Sequence, residues 1–393
     1  MLLPVVKLKT PRNSRHPWIF KKMTQAPRGL DLEPGSLVEV RDKGGAFVGR
    51  AFYHPENTIA LRLLSEDQGE DIDAAFFAGR LAYAKQLRET ALDMGAIGDS
   101  YRLVHAEADL LPGLVIDKFA DVLLIEPYVS GWLHVADMLV EALRGLYPGC
   151  RPVVRADANA AKKEGVSFAR LEKRYPAPDH VDITENGIRY RVDFRTGHKT
   201  GFFLDQRDNR ARVAALARSR DVLDLCCYSG GFSLSAWKGG AKRVEAVDLD
   251  EEALAAAAVN AGLNGAAGKV DFIHRDAFDE LRDRAAANRR HDMVVLDPPK
   301  LAAGQEDVER ALKTYYDMNK AALKVVRPGG LFVTCSCSGA VPEERWRQTV
   351  RKAAADSDRG IAIFAATGPG CDHPVAGDFP QGRYLKALFV RAD

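Results

Sequence analysis

The chain has 393 residues, 46% hydrophobic and 28% charged, with a formal net charge of +2 at pH 7. This composition is that of a globular chain long enough for two or three domains, and it excludes a polycation that would bind nucleic acid through its overall charge. No apolar run approaches the roughly 20 residues that cross a bilayer, and no signal-peptide pattern opens the chain. Six cysteines do not make a disulfide framework at this length, and no C-x₂-C pairs suggest zinc. We therefore expect reduced thiols, no metal, no membrane partner and a cytoplasmic protein.

The N-terminal stretch combines basic and aromatic residues. From Met1 to Leu30 there are seven Lys or Arg and no acid, interleaved with flat rings. Positive groups beside rings suit contacts with phosphates and bases. A solvated basic face with Trp18 in the core is an equally good interpretation. The candidate nucleic-acid contacts here are Lys7, Arg12, Arg15, Trp18, Lys21 and Lys22.

Short strands separated by turns come next, which predicts a small β-barrel. The predicted strands are Leu37 to Arg41, Ala46 to Tyr53 and Thr58 to Leu64. A polar linker, Ser65 to Glu70, precedes an amphipathic helix predicted from Ile72 to Leu92. A separate α+β unit then runs to about Asp182. Its predicted elements are strands Tyr101 to Val104, Gly113 to Phe119 and Val122 to Pro127, and a helix from Trp132 to Leu146.

Three titratable residues in this second unit stand at alternate positions, His105, Glu107 and Asp109. Such spacing could suggest a metal site. A solvent-facing strand edge followed by turn acids explains it better. We assign these residues no chemistry.

The most informative stretch, Val222 to Asp250, predicts a strand, a glycine turn, a helix and a second strand that ends at Asp248. An acid about twenty residues past such a turn suits a ribose hydroxyl pair. The turn lacks G-x-G-x-x-G, which argues against a dinucleotide. S-adenosylmethionine fits better, because it carries no phosphate and its cationic groups favour a carboxylate such as Asp224.

Further predicted strands also end in reactive side chains. Val270 to His274 leads to Asp276, Met293 to Leu296 leads to Asp297-Pro298-Pro299-Lys300, and Leu331 to Thr334 leads to Cys335-Ser336-Cys337. In a doubly wound sheet the carboxyl ends of the parallel strands lie on one edge, beside the point where ligands bind. A helix from Glu343 to Ala355 and a last strand, Tyr384 to Val390, are expected to complete the sheet. The Gly- and Pro-rich segment Gly368 to Gly382, which contains His373, is expected to cover a ligand.

Several of these segments together resemble one family. DLCCYSGG, LDPPK and TCSCSG, with the upstream KTGFFLDQR (Lys199 to Arg207) and the late DHP (Asp372 to Pro374), resemble motifs of class I ribosomal RNA cytosine-5 methyltransferases that carry an N-terminal PUA domain. The resemblance covers nearly the whole chain, and FFLDQR and the pair LDPPK with SCS are its most specific parts. It implies a mixed α/β chain with a PUA-like RNA-binding domain at 1–68, a central α+β domain at 69–182 and a Rossmann-like methyltransferase domain at 183–393. The motif DPPK lacks the cysteine that many RNA cytosine-5 methyltransferases carry there.

The resemblance also implies roles for individual residues. Its SCS motif aligns with Ser336-Cys337-Ser338, which makes Cys337 the nucleophile, whereas strand alternation places Cys335 and Cys337 on one face and cannot choose between them. Asp297 is the second catalytic candidate, and it would hold the cytosine edge. Lys300, also a candidate RNA contact, or the cofactor sulfonium could lower the pKa of the thiol. The candidate cofactor contacts are Phe203, Gln206, Arg207, Asp224, Cys226, Tyr228, Ser229, Gly230, Asp248, Asp276, Asp297 and Pro298.

The predicted activity is S-adenosylmethionine-dependent formation of 5-methylcytosine in 23S ribosomal RNA of the large subunit. Gln206 or Arg207 would reach the cofactor carboxylate, although an ordinary helix start capped by Asp205 also explains that segment. A guanine methyltransferase on the same fold and a non-catalytic RNA-binding ribosome-assembly factor are the alternatives. Ribosomal RNA is the predicted partner, and homodimerisation is left open.

Overall fold

The structure is a computed structural model that describes residues 3–25, 27, 31–195 and 201–393. Lys199 and Thr200, which belong to the motif KTGFFLDQR, lie outside these ranges, as does part of the basic stretch from Met1 to Leu30. The chain forms two compact units. One contains Met1–Ile183, Val192–Phe202 and Asp372–Gly382, and the other contains Thr184–Arg191, Phe203–Cys371 and Arg383–Asp393.

The first unit begins with a five-stranded sheet, ordered β1-β3-β4-β5-β2. Its strands are β1 (Val5–Lys7), β2 (Trp18–Phe20), β3 (Ser36–Arg41), β4 (Phe47–Tyr53) and β5 (Ile59–Ser65). An antiparallel bridge joins Leu8 to Thr24, and Lys9 N donates to Met23 O at 2.7 Å. These contacts connect the chain after β1 to the chain after β2, so the sheet closes on itself, as the closely spaced turns predict.

The remainder of the first unit builds a second core around a four-stranded sheet, ordered β6-β7-β8-β9. The strands are β6 (Ser100–His105), β7 (Leu114–Phe119), β8 (Val122–Pro127) and β9 (Arg151–Val154). The helices are α1 (Ala74–Lys85), α2 (Met94–Ile97), α3 (Trp132–Leu146), α4 (Ala158–Lys163) and α5 (Ala169–Arg174). The expected single helix to Leu92 instead continues after α1 as a π-helical segment, Gln86–Ala91.

The expectation that Glu107 and Asp109 face solvent is wrong, because buried cationic or polar groups hold both. Asp109 is fully buried and accepts from both terminal nitrogens of Arg88, at 2.5 and 2.8 Å. The backbone N of His105 also donates to Asp109, at 2.6 Å. Glu107 accepts from the indole Nε1 of Trp18 at 2.7 Å. A buried guanidinium requires a buried counter-charge, and sequence spacing alone does not show which acid supplies it.

The second unit carries a seven-stranded sheet, ordered β14-β13-β12-β15-β16-β18-β17. A two-stranded sheet, β10 (His180–Glu185) with β11 (Ile188–Asp193), precedes it in the chain. The seven strands are β12 (Asp221–Leu225), β13 (Arg243–Asp248), β14 (Val270–His274), β15 (His291–Leu296), β16 (Val326–Ser336), β17 (Ile361–Thr367) and β18 (Lys386–Ala392). The helices are α6 (Arg207–Leu216), α7 (Gly231–Lys238), α8 (Glu251–Leu263), α9 (Ala277–Ala286), α10 (Val308–Lys324) and α11 (Glu343–Ala355).

Strands β12 to β16 are parallel, whereas β18 runs antiparallel to both β16 and β17. The strand order reverses between β12 and β15, which is where ligands bind in open α/β sheets. Leu225, the last residue of β12, pairs with Val247 and Leu296 near the ends of β13 and β15. The register therefore brings the carboxyl ends of these strands side by side, as the sequence predicts. No described helix is both long and apolar enough to cross a bilayer.

Candidate active site

The turn after β12 is built from backbone conformations that most side chains avoid. Cys226 and Tyr228 have φ of 60° and 48°, and Gly230 follows with a φ of 82°. Two non-glycine residues in the left-handed region are a sign of stored strain, which functional sites often carry. Hydrogen bonds hold the turn: Tyr228 N donates to Asp248 Oδ2 at 2.8 Å, and Asn260 Nδ2 donates to Ser229 O at 3.0 Å.

Asp224 is a fully buried carboxyl in the middle of this edge. Ser233 Oγ donates to its Oδ2, while no described residue forms a hydrogen bond with Oδ1. Burial, followed by the charges of Asp297 and Asp248, raises the pKa of Asp224 to about 7, against the opposing hydrogen bond from Ser233. A buried acid with an unpartnered oxygen and acidic neighbours favours a cation. This is the environment that the ammonium and sulfonium of S-adenosylmethionine require.

Two further acids lie at neighbouring strand ends. The carboxylate of Asp248 accepts from Tyr228 N through Oδ2 and from Asp250 N through Oδ1, at 2.8 and 2.9 Å. Each of these oxygens has a second lone pair, which a ribose hydroxyl could use. Asp276 caps α9, because its Oδ1 accepts from the backbone N of Phe278 at 2.8 Å. The predicted contact of Asp276 with the cofactor stays a prediction.

Gln206 of the FFLDQR segment contacts Asp297, the acid of the DPPK motif, directly. Gln206 Nε2 donates to Asp297 Oδ2 at 3.0 Å, and Asn209 Nδ2 donates to Gln206 Oε1 at 2.6 Å. Thr367 Oγ1 in turn donates to Asn209 Oδ1 at 2.6 Å. These three bonds fix the orientation of the Gln206 amide.

The other members of this segment are also held by side chains. The ring of Phe203 packs edge-on against that of Tyr228, with 5.1 Å between centroids. Arg207 is buried, with its Nε 3.5 Å from Glu185 Oε2. Its expected contact with the cofactor carboxylate therefore competes with an ion pair. The alternative that Asp205 caps the helix is wrong: α6 has no side-chain cap, and the Asp205 carboxylate accepts from Tyr384 Oη at 2.5 Å.

The two thiols of the SCS region differ in a way that strand alternation does not predict. Strand β16 ends at Ser336, so Cys337 lies just past the strand and is partly exposed. Cys335 lies within the strand and is fully buried. Burial, with a contribution from Asp297, raises the pKa of Cys335 well above its ordinary value. Of the two thiols, only Cys337 combines access to solvent with a place at the strand ends.

Serines on both sides of Cys337 tie it to the loop after Asp297. Ser338 Oγ accepts from the backbone N of Leu301 and of Ala302, at 3.0 and 3.1 Å. Ser338 and Ser336 both share hydrogen bonds with Tyr315 Oη, at 3.0 and 2.9 Å. The side chains that flank the thiol therefore set the position of the DPPK loop.

The buried cation beside this region is a residue that sequence reasoning missed. Lys386, the first residue of β18, is 3% exposed, and its Nζ donates to Ser338 O at 2.7 Å and to Val341 O at 2.8 Å. A lysine inside the apolar run YLKALFV was the available signal. Lys300, the predicted activating cation, is exposed. Its role stays a prediction.

The late DHP motif lies in the first unit. Asp372 Oδ2 accepts from the backbone N of Arg102 at 2.8 Å, and Asp372 Oδ1 lies 2.9 Å from His373 Nδ1. The rings of His373 and His105 meet edge-on, with 5.1 Å between centroids. The expectation that this segment covers a ligand is not tested by these contacts.

The candidate RNA contacts in the first unit divide by exposure. Lys7, Arg15, Lys21 and Lys22 are exposed, whereas Arg12 lies 2.5 Å from Glu66 Oε1. Trp18 is half-buried between the Arg62 guanidinium, at 4.9 Å, and the Phe379 ring, at 4.8 Å. These contacts hold the ring in place, but Trp18 is half-buried and does not lie in the core, where one of the two sequence interpretations put it. Any contact that Trp18 makes with RNA stays a prediction.

Asp221, Glu245 and His291 form the one group of described residues with the spacing of a metal site, their ligand atoms lying within 4.8 Å of one another. Arg284 Nη1 lies 2.9 Å from Glu245 Oε2 and 2.8 Å from His291 Nε2. Since an arginine can only donate, Nε2 of His291 accepts and Nδ1 carries the proton of the neutral ring. An acid paired with arginine and a protonated ring nitrogen do not suit a metal.

Comparison with known proteins identifies the family. The model of the S-adenosylmethionine-dependent methyltransferase family matches residues 174–357, and that of a PUA-like domain matches residues 9–66. The ribosomal RNA large subunit methyltransferase I of Tolumonas auensis is 41% identical over 382 residues, covering 96% of each chain. The protein of the same name from Shewanella denitrificans is 38% identical over 394 residues, covering 98% of each. The chain belongs to the ribosomal RNA large subunit methyltransferase I family.

Solved structures agree with this membership at the level of the fold. A methyltransferase complexed with SAH covers 100% of both chains with a TM-score of 0.81 and 21% identity. An S-adenosylmethionine-dependent methyltransferase from Streptococcus mutans covers 92% of this chain and 93% of its own, with a TM-score of 0.77 and 22% identity. The predicted membership of a ribosomal RNA methyltransferase family, the PUA-like and Rossmann-like folds and the cofactor S-adenosylmethionine are thus confirmed. The roles of individual site residues and the three domain boundaries stay predictions.

Proposed function

We propose that this member of the ribosomal RNA large subunit methyltransferase I family forms 5-methylcytosine in 23S ribosomal RNA, in the cytoplasm, through a covalent adduct with Cys337. The observation that carries the proposal is the position of Cys337. It is a partly exposed thiol directly past β16, hydrogen-bonded through its neighbour Ser338 to the loop that follows Asp297. The named relatives support ribosomal RNA of the large subunit as the substrate.

The chemistry of cytosine explains why a thiol is needed. Carbon 5 is a poor nucleophile, and a thiolate that adds to carbon 6 pushes electron density onto carbon 5. Held by the acids at the β12 to β14 edge, S-adenosylmethionine would supply the methyl group to carbon 5 and would leave as S-adenosylhomocysteine. Loss of the carbon 5 proton then breaks the bond between Sγ and carbon 6, which restores both the aromatic base and the Cys337 thiolate. We assign no residue to the removal of that proton.

Asp297 is the proposed partner of the cytosine edge. Its carboxylate can accept from the exocyclic amine or, when protonated, can donate to the ring nitrogen, and the carbonyl of Pro298 can assist. Gln206 donates to Oδ2 and so orients the carboxylate before the base arrives. A base that reaches this edge must be unstacked or already in a loop.

A trapping experiment tests the proposal. Fluorine at carbon 5 of the target cytosine cannot leave as a proton does, so the adduct should persist between the protein and an RNA fragment in the presence of S-adenosylmethionine. We expect a denaturation-resistant complex with the wild type and with Cys335→Ala, the matched control for a neighbouring thiol. Cys337→Ala should form none. A complex that survives Cys337→Ala would contradict the assignment of the nucleophile.

A further inference from the structure

The strongest feature outside the predicted site is the buried ammonium of Lys386. A lysine that is 3% exposed is unusual, because burial of an unpaired charge is costly. No carboxylate of a described residue lies within salt-bridge distance of its Nζ. The ammonium is instead solvated by two backbone carbonyls, those of Ser338 and Val341, at 2.7 and 2.8 Å.

The place of this ammonium is set by strand pairing. Lys386 pairs across the sheet with Ser336, the residue immediately before Cys337. Its two carbonyl acceptors belong to the residues that follow Cys337. Lys386 therefore contacts both ends of residues 336–341, the segment that carries the Cys337 thiol. This segment begins at the pair of Ser336 with Lys386 and ends just before α11.

The electrostatic surroundings of the pair are specific. Burial lowers the pKa of Lys386 to about 8, while Cys337 and, on α11, Glu343 act to raise it. Cys337 in turn acts on Tyr315, from α10, and on Cys335, and Asp297 acts on both of those groups. Lys386 is the cation among these groups, because the others are thiols, carboxylates and a phenol. Because electrostatic coupling is reciprocal, a thiolate that favours the ammonium is favoured by it to the same extent.

We propose that Lys386 is the positioning residue of Cys337: its buried ammonium fixes the segment after the thiol and stabilises the thiolate form. The role of Lys386 in catalysis rests on the proposed function, since Lys386 supplies the counter-charge of Cys337, the proposed nucleophile. It also assigns activation to a cation of the protein itself. Lys300, which is exposed, is then not required for activation.

The test is the pH dependence of Cys337 alkylation in the full chain, without RNA. Iodoacetamide is uncharged, and peptide mapping with fragmentation separates Cys337 from Cys335. We expect Lys386→Met to raise the midpoint of the alkylation curve by about one pH unit or more, which is about a tenfold slower reaction at pH 7. Lys386→Arg should restore most of the rate, and Lys300→Met, the matched loss of an exposed lysine, should leave the midpoint unchanged. An unchanged midpoint in Lys386→Met would overturn the proposal.

A reciprocal measurement covers the case in which Lys386→Met does not fold. The side-chain nitrogen of Lys386, followed by NMR in wild type and in Cys337→Ser, should titrate at a lower pH when the thiol is absent. Equal titration in both proteins would overturn the coupling. These readouts use no RNA, so they are distinguishable from a failure of the proposed function, which appears as 5-methylcytosine formed by Cys337→Ala. If Cys337→Ala still formed 5-methylcytosine, Lys386 could still be the counter-charge of Cys337, but this pairing would have no role in catalysis.

Discussion

Gln206 holds Asp297: its Nε2 donates to Asp297 Oδ2 at 3.0 Å, and its own Oε1 accepts from Asn209 at 2.6 Å. The resemblance to the family implies that Gln206 borders the cofactor and that Gln206 or Arg207 reaches its carboxylate. In the structure the amide oxygen and one amide hydrogen are already engaged by Asn209 and Asp297. The geometry therefore favours a role in orienting the acid that is proposed to hold the cytosine.

Gln206→Leu should accordingly affect turnover more than cofactor affinity. We expect kcat for methyl transfer to fall about tenfold to a hundredfold, as for a group lost from the positioning of a reacting base. The dissociation constant of S-adenosylmethionine, measured by calorimetry, should change less than threefold. A large loss of cofactor affinity with unchanged kcat would instead place Gln206 at the cofactor carboxylate. Asn209→Leu should reproduce the kcat effect in part.

The sequence predicted those elements that are marked by a run of apolar residues and by residues that break it. Strands β12 to β16 and β18, the turn at Gly230 and α11 from Glu343 to Ala355 follow from apolar runs that glycine, proline or polar residues interrupt. The edge strand β17, Ile361–Thr367, was not predicted. It ends the sheet beside β18, which only the three-dimensional pairing reveals.

Charged groups that are buried against one another were the harder part. The pairing of Arg88 with Asp109 and of Arg210 with Glu185 joins residues that are 21 and 25 positions apart. Nothing in local spacing distinguishes such residues from solvent-facing charges. The choice between Cys335 and Cys337 likewise depended on where β16 ends, and strand ends are poorly determined by sequence.

Asp224 should make stability depend on pH. Its pKa in the folded protein is raised to about 7, whereas an unfolded aspartate titrates near 4. The unfolded chain therefore loses this proton first, and the folded state loses stability as the pH rises from about 4 to about 7. We expect Asp224→Asn to be more stable than the wild type at pH 8 by about 2 to 4 kcal/mol, and the two to be nearly equal at pH 4.5, by urea unfolding without cofactor. An equal difference at both values would contradict the raised pKa.

Cofactor binding should favour the ionised form of Asp224, whereas folding favours the protonated form. A cation pairs with the ionised carboxylate, so S-adenosylmethionine should bind more tightly as the pH rises through about 7 and should release a proton below it. Calorimetry in two buffers of different ionisation enthalpy measures that proton. Asp224→Asn should bind more weakly and release none. Proton release that persists in Asp224→Asn would assign it to another group.

Ser338 should matter more to stability than Ser336. Ser338→Ala removes the acceptor of two backbone amides, those of Leu301 and Ala302, and leaves the buried Ala302 amide without its partner. We expect a loss of about 1 to 3 kcal/mol in the free energy of unfolding. Ser336→Ala removes a hydroxyl that donates to Tyr315 at 2.9 Å and is the matched control. A larger loss from Ser336→Ala would contradict the conclusion that Ser338 holds the loop after Asp297 in place.

The exposed basic residues of the first unit should contribute to RNA affinity through charge. Arg15→Ala and Lys22→Ala should each weaken binding to a ribosomal RNA fragment and reduce the slope of log K against log salt by about one. Lys352→Ala, an exposed lysine of α11 in the second unit, is the control and should leave the slope unchanged. Unchanged slopes for Arg15→Ala and Lys22→Ala would remove these two residues from the RNA interface.

The identity of the methylated nucleoside tests the central claim most directly. The protein is incubated with methyl-labelled S-adenosylmethionine and unmodified 23S ribosomal RNA, free and in assembling subunits, and the RNA is digested to nucleosides. We predict label in 5-methylcytosine with the wild type and Cys335→Ala, and none with Cys337→Ala. Label in a guanine nucleoside, or 5-methylcytosine that persists in Cys337→Ala, would contradict the account.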